Sequence, residues 1–156
     1  MKQHEIKHER KLGENIFYIR PFGAFKAANL SGEVLSLLTP VLVGVVPALT
    51  ESKDIFNIGS EKAASHLANS MSGVNGDKLE ALLKKLLVKY ENVSVQSEDE
   101  TEAQLLTADI ADEVFCGDAQ DMFILAFDVI KVNYSGFFKK LGGQFGELIN
   151  TQTKKV

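Results

Sequence analysis

The residues whose types and spacing come closest to a reactive site are His4, Glu5 and His8, because His4-Glu5-Ile6-Lys7-His8 spells H-E-x-x-H. In that pattern two histidines on one face of a helix hold zinc and the glutamate acts as general base, while a third ligand completes a site that keeps one position open. The chemistry requires a helix, and the neighbourhood does not read as one. Residues 4–12 are polar with Ile6 and Leu12 as the apolar members, which suits an edge strand, and the motif begins at the fourth residue, where chain ends usually fray. Cys116, the single cysteine, could act as a nucleophile only with a base to make its thiolate, and His66 has no orienting partner in the sequence. Its neighbours Val114 and Phe115 predict a small buried thiol that fills space. Asp109, Asp112, Glu113, Asp118 and Asp121 crowd the same region without the alternating oxygen spacing of a calcium loop. Asp118 is expected to cap a helix and Asp121 to add a favourable charge in its first turn. Leu141 to Gly146, LGGQFG, follows a helical pattern rather than a strand and is no phosphate-binding loop. These residues give no catalytic, metal or cofactor site. A zinc peptidase built on His4, Glu5 and His8, or a thiol enzyme built on Cys116, stands as the enzymatic alternative.

The elements that would position such groups can be read from spacing. Polar residues up to Leu12, a Gly13-Glu14-Asn15 turn and β-branched or aromatic Ile16 to Ile19 predict a hairpin, closed by Arg20-Pro21. Phe25, Ala28, Val34, Leu35 and Leu38 recur at helical spacing between Phe22 and Leu38, with Gly32 a weak point. A second short helix is expected to start near Pro40. Thr50 to Gly59 reads as a loop, Ser60 to Met71 as a helix, and Asp77 as the cap of a helix running to Tyr90 with Leu79, Leu82, Leu83, Leu86 and Leu87 on one face. Val93 to Val95 and Ala103 to Leu106 form short strands around the acidic run Glu98 to Glu102. Met122 to Ile130 is apolar nearly all round and must be wrapped by other elements. Asn133-Tyr134-Ser135-Gly136 is expected to break that helix before a final one. The fold class is therefore α+β, a mainly helical single domain with an N-terminal β-hairpin and a buried central C-terminal helix. Residues 1–150 form the domain, divided into a hairpin (1–22), helices (23–90), an acidic strand and loop region (91–106) and C-terminal helices (107–150), with 151–156 a flexible tail.

Composition limits the function. A chain of 156 residues, 45% apolar and 24% charged, is long enough to bury a core without disulfide or metal. One cysteine and the lack of an apolar leader after Met1 point to a reducing, cytoplasmic setting. Residues 91–130 hold eleven acids and no lysine or arginine, a field opposite to that needed for nucleic acid. Val34 to Leu49, VLSLLTPVLVGVVPAL, is the most apolar stretch. Its sixteen residues, interrupted by Pro40, Gly44 and Pro47, fall short of the roughly 20 that cross a bilayer. It is either buried core or a surface for a partner.

Two segments, FYIRPFGAFKAANLSGEV (Phe17 to Val34) and DEVFCGDAQDMFILAFDVIKVNYSGFF (Asp112 to Phe138), together resemble the tail assembly chaperones of long-tailed, siphovirus-like bacteriophages. The resemblance implies a non-enzymatic protein of the infected bacterium's cytoplasm, without cofactor. It would bind the apolar, helical tape measure protein, keep it soluble, help recruit tail-tube subunits, and leave before the virion is complete. It also implies a frameshifted longer form as a partner, with Lys154-Lys155 read as a trace of a slippery adenine run. A homo-oligomer is a further candidate partner, the sequence itself being silent on oligomeric state. Neither nucleic acid nor membrane is expected as a partner. An apolar helical partner needs an apolar groove, for which Val41, Leu42, Val45, Val46 and Leu49 are the candidates, core packing being their other reading. Another small phage morphogenesis or connector protein, retained in the virion, is the alternative.

Overall fold

The computed structural model describes residues 5–49, 61 and 75–153, with side chains described for 5–36, 61 and 75–136. The expected hairpin forms from β1 (His8–Leu12) and β2 (Asn15–Ile19), with Leu12 opposite Asn15, so Gly13-Glu14 is a two-residue loop. Gly13 takes φ 60°, which suits glycine at the first loop position of such a hairpin. β3 (Val93–Ser97) pairs antiparallel with β2, and β4 (Gln104–Leu105) pairs antiparallel with β3, giving the order β1-β2-β3-β4. The two later strands flank the acidic run, as their composition implied. Leu12, Phe17, Ile19, Val93 and Val95 point from the sheet into the core. Everything from residue 20 to 92 is an excursion between two neighbouring strands, joined where the Arg20 N–H donates to the Asn92 carbonyl at 2.8 Å.

The excursion opens with α1 (Ala24–Leu49), a single helix where two were expected. Pro40 does not end it. Proline forfeits its own amide and strains one turn, but its fixed φ is itself helical, so it can sit inside a helix at a cost of about 3 kcal/mol. α2 (Gly76–Lys84) continues into a π-helical turn, Lys85–Lys89. Its cap is Asn75 rather than Asp77: Asn75 Oδ1 accepts from the Asp77 and Lys78 amides at 2.8 and 3.4 Å, leaving Asp77 inside the first turn as a favourable charge. The leucine stripe is as expected, with Leu82, Leu86 and Leu87 buried and Leu79 and Leu83 half-buried. The expected loop at 50–59 and helix from Ser60 to Met71 lie outside the described residues, Glu61 excepted.

After the sheet, Thr107 caps α3 (Ala108–Val114), its Oγ1 accepting from the Ile110 amide at 3.3 Å. α4 (Ala119–Thr153) then runs unbroken through Asn133–Gly136, contrary to the expected interruption. A lone asparagine and glycine weaken a helix by about 1 kcal/mol or less each, which tertiary contacts override. Asn133 supplies such contacts through both ends of its amide, described below. The apolar stretch of α4 is the centre of the molecule: Leu125, Val129 and Ile130 are buried beside Ile124, Ala126 and Phe127, in one cluster with the sheet, α1 and α2. Phe115 stacks on Phe17 with ring centres 5.4 Å apart, which locks the α3–α4 corner to β2. Asp128 is the one acid within the apolar stretch, and Arg10 of β1 meets it, Nε to Oδ2 at 3.0 Å.

Candidate partner-binding surface

Among the described residues the reactive groups do not converge. Glu5 lies in a 3-10 turn and His8 opens β1 three residues on, so the H-E-x-x-H residues within the described part of the chain do not share one α-helix, and His4 lies outside the described residues. Among the described residues no group of three or more His, Cys, Asp or Glu side chains could hold a metal ion. Cys116 is exposed, not buried as its neighbours suggested. It sits in the turn between α3 and α4, where the Cys116 N–H reaches the Glu113 carbonyl at 3.4 Å and Gly117 takes φ 83°. Phe115 and, in part, Val114 turn inward there while Cys116 turns out, so the apolar neighbours of Cys116 do not predict its own exposure. Asp118 stands just before α4 and accepts the Asp121 N–H through its backbone carbonyl at 3.0 Å, and Asp121 lies in the first turn as expected. A cleft of about 280 Å³ beside the hairpin loop has the stacked Phe17 and Phe115 in its wall and carries the carboxylates of Glu14, Asp118 and Asp121. Beside those carboxylates its lining offers no histidine, hydroxyl, thiol or cation.

A different surface emerges on α1. The chain entering this helix is fixed to α4 by two residues of the expected break. Asn133 Oδ1 accepts from the Phe22 N–H at 2.7 Å while its Nδ2 donates to the Val129 carbonyl at 2.8 Å. Beside it, the Tyr134 hydroxyl donates to the Ala27 carbonyl at 2.5 Å. Burial, and then the neighbouring Tyr90, push the Tyr134 hydroxyl up to about 12, so it stays a neutral donor. Phe22 packs edge-on against Tyr90 with ring centres 5.4 Å apart, and Lys26 holds its ammonium 5.2 Å above the same Tyr90 ring. These contacts fix the rotation of α1. Leu30 and Val34 face inward, fully buried, with Ala27 half-buried beside them.

That rotation overturns the expectation that Phe25, Ala28 and Leu35 share the buried face of α1 with Val34. Phe25 is 93% exposed, Ala28 and Gly32 are exposed, and Leu35 is 36% exposed. Phe25, Ala28, Gly32 and Leu35 are separated by three, four and three residues, the spacing of one helix face. Asn29 and Ser36 beside them are uncharged, and the Ser31 hydroxyl donates back to the Ala28 carbonyl at 2.7 Å. The described part of α1 is thus apolar on two sides, one sealed in the core and one turned outward. The signal was present in the sequence as two interleaved apolar sets, 27/30/34 and 25/28/32/35, which a single-stripe reading merges. The five candidate groove residues Val41, Leu42, Val45, Val46 and Leu49 lie on the same helix, and their side chains lie outside the described ones. Among the described residues no helix is long and apolar enough to cross a membrane.

The sequence model of a family described as phage tail assembly chaperone protein, TAC, matches residues 13–146. The chain belongs to this family. Neither the curated proteins nor the solved structures give a match. The family match takes in both segments that carried the resemblance, and the fold brings those segments of this tail assembly chaperone together: Phe17 stacks on Phe115, Phe22 bonds to Asn133 and Ala27 to Tyr134. What looked like two separate sequence habits is one packing unit, the joint between β2, α1 and α4.

Proposed function

We propose that this chain works without catalysis by binding the tape measure protein, keeping it soluble and helping to recruit tail-tube subunits in the cytoplasm of the infected cell. It leaves before the virion is complete, and a frameshifted longer form of the chain acts beside it. The observation that carries the reading is the outward apolar face of α1, on which a phenylalanine stands 93% exposed, in a chain of the tail assembly chaperone family. A long apolar helix in water needs a surface of this kind, since burial of apolar area on both partners is the main driving force for helix-in-groove recognition. Val41, Leu42, Val45, Val46 and Leu49, further along the same helix, extend the proposed contact. Co-expression with the tape measure protein tests it. The tape measure should move from the insoluble to the soluble fraction and co-purify with this chain; an unchanged insoluble fraction with both proteins expressed would refute the reading. Mass spectrometry of purified particles should not find the chain, and its presence there would favour a retained connector protein.

A further inference from the structure

Gly32 lies inside α1, where glycine weakens a helix relative to alanine. Nothing in the described fold requires it, because a Cβ built at Gly32 meets no atom of the described residues within 4 Å. One heptad earlier on the same face stands Phe25, 93% exposed. A protruding ring and an unfilled notch seven residues apart are complementary to each other, and in a two-fold pair both contacts form at once only when the two helices run in opposite directions. The flank of this face is antisymmetric in the same sense. Lys26 lies near its N-terminal end and Glu33 one heptad on, and in an antiparallel two-fold pair, where the same flank of each helix faces its copy, Lys26 of one meets Glu33 of the other. Both side chains are steadied in place, Lys26 over the Tyr90 ring at 5.2 Å and Glu33 by Lys85 at 2.6 Å, and the second carboxylate oxygen of Glu33 can accept another donor.

We infer that α1 pairs with α1 of a second copy of this chain, antiparallel about a two-fold axis beside Ala28 and Asn29. Phe25 of each copy lies on Gly32 of the other, and Lys26 of each faces Glu33 of the other. This is an isologous interface, in which one patch is its own complement. The small residues at 28 and 32 let the two backbones approach closely enough for the phenylalanine rings to be covered. The contact goes beyond tape measure binding and uses part of the same face, so self-pairing and client binding compete.

Sedimentation velocity of the full chain over a range of concentrations tests the pairing. The wild-type chain should be a dimer, and Phe25→Ser and Gly32→Leu should sediment as monomers with unchanged circular dichroism. Lys26→Glu alone and Glu33→Lys alone should also weaken the dimer by tenfold or more, because each sets like charges against each other. An equimolar mixture of those two variants should regain it. In the mixed pair the carboxylate introduced at position 26 of one copy faces the ammonium introduced at position 33 of the other, and the unaltered Lys26 and Glu33 still meet on the far side of the axis. A wild-type monomer at every concentration would overturn the inference, as would a dimer indifferent to Phe25→Ser or a mixture that stays monomeric. A monomeric wild type whose Phe25→Ser variant no longer solubilises the tape measure would assign the face to the client alone, so the two readings fail separately.

Discussion

At the scale of single residues, the groups that hold the fold are ones the sequence presents as breakers or reagents. Asn133 and Tyr134 lie in a cluster that local propensity reads as a helix end, because asparagine and glycine favour turns when nothing else engages them. In the fold the Asn133 amide is used at both ends and the Tyr134 hydroxyl is buried on the Ala27 carbonyl. The residues they hold on α1 are far away in sequence, so no local pattern shows them. Tyr134 also gives the molecule a pH signature. Its folded-state value is raised from 10.0 to about 12. A raised value means that the neutral form is favoured by folding. The stabilisation is therefore complete below about pH 10 and is lost as pH rises from there towards 12. Urea unfolding should show stability falling over that interval by on the order of 2 kcal/mol more in the wild type than in Tyr134→Phe. Equal slopes for the two would mean that Tyr134 ionises as freely in the folded chain as in the unfolded one. Cys116 makes the converse point, since apolar neighbours predicted burial and a tight turn after α3 left it outside.

Elements were legible where one signal dominates. The hairpin follows from a glycine-led turn between two strand patterns, though Asn15, read as part of the turn, belongs to β2; α2 follows from its leucine stripe, and the central part of α4 from the absence of a polar face. Helix lengths were not legible, because prolines in α1 and the Asn133–Gly136 cluster in α4 are locally unfavourable, and in α4 the offsetting contacts, from Asn133 to Phe22 and from Tyr134 to Ala27, are non-local. Two substitutions separate local from global elements. Asn75→Ala removes the oxygen that holds the Asp77 and Lys78 amides and should cost about 1 kcal/mol, a modest shift in a thermal melt with the transition still cooperative. Leu125→Asp should abolish the cooperative transition, because Leu125 is 0% exposed and an isolated buried carboxylate costs several kcal/mol, a large part of the roughly 5–15 kcal/mol that holds a typical domain together. Asp128, three residues on, is tolerated because Arg10 reaches it from β1 and part of it still meets water. A Leu125→Asp chain that melts like the wild type would show that α4 is not the centre of the core.

At the scale of the whole molecule, the packing unit that joins the two family-like segments and the surface proposed for client binding are two sides of one helix. The inward side of α1, Leu30 and Val34 with Ala27 beside them, belongs to the joint with β2 and α4, and the outward side, Phe25 and Gly32 among them, takes no part in the described core. Stability and client binding should therefore come apart under substitution. Replacing Phe25, 93% exposed, with serine removes apolar area that folding of the single chain never buried, so at concentrations below those at which copies pair the stability should change by no more than about 0.5 kcal/mol. The same change should sharply reduce the amount of tape measure protein kept soluble on co-expression, because it removes the largest apolar group on the outward face. Replacing Leu30, which is 0% exposed on the inward side, with alanine should do the reverse in order of cause. It costs about 2–5 kcal/mol of stability, and solubilisation should fall only in proportion to the folded fraction. Measuring the melting transition and the soluble tape measure fraction for both variants distinguishes the two faces. If Phe25→Ser solubilised the client as well as the wild type does, the outward face of α1 would have no part in its binding, whatever else the family membership implies.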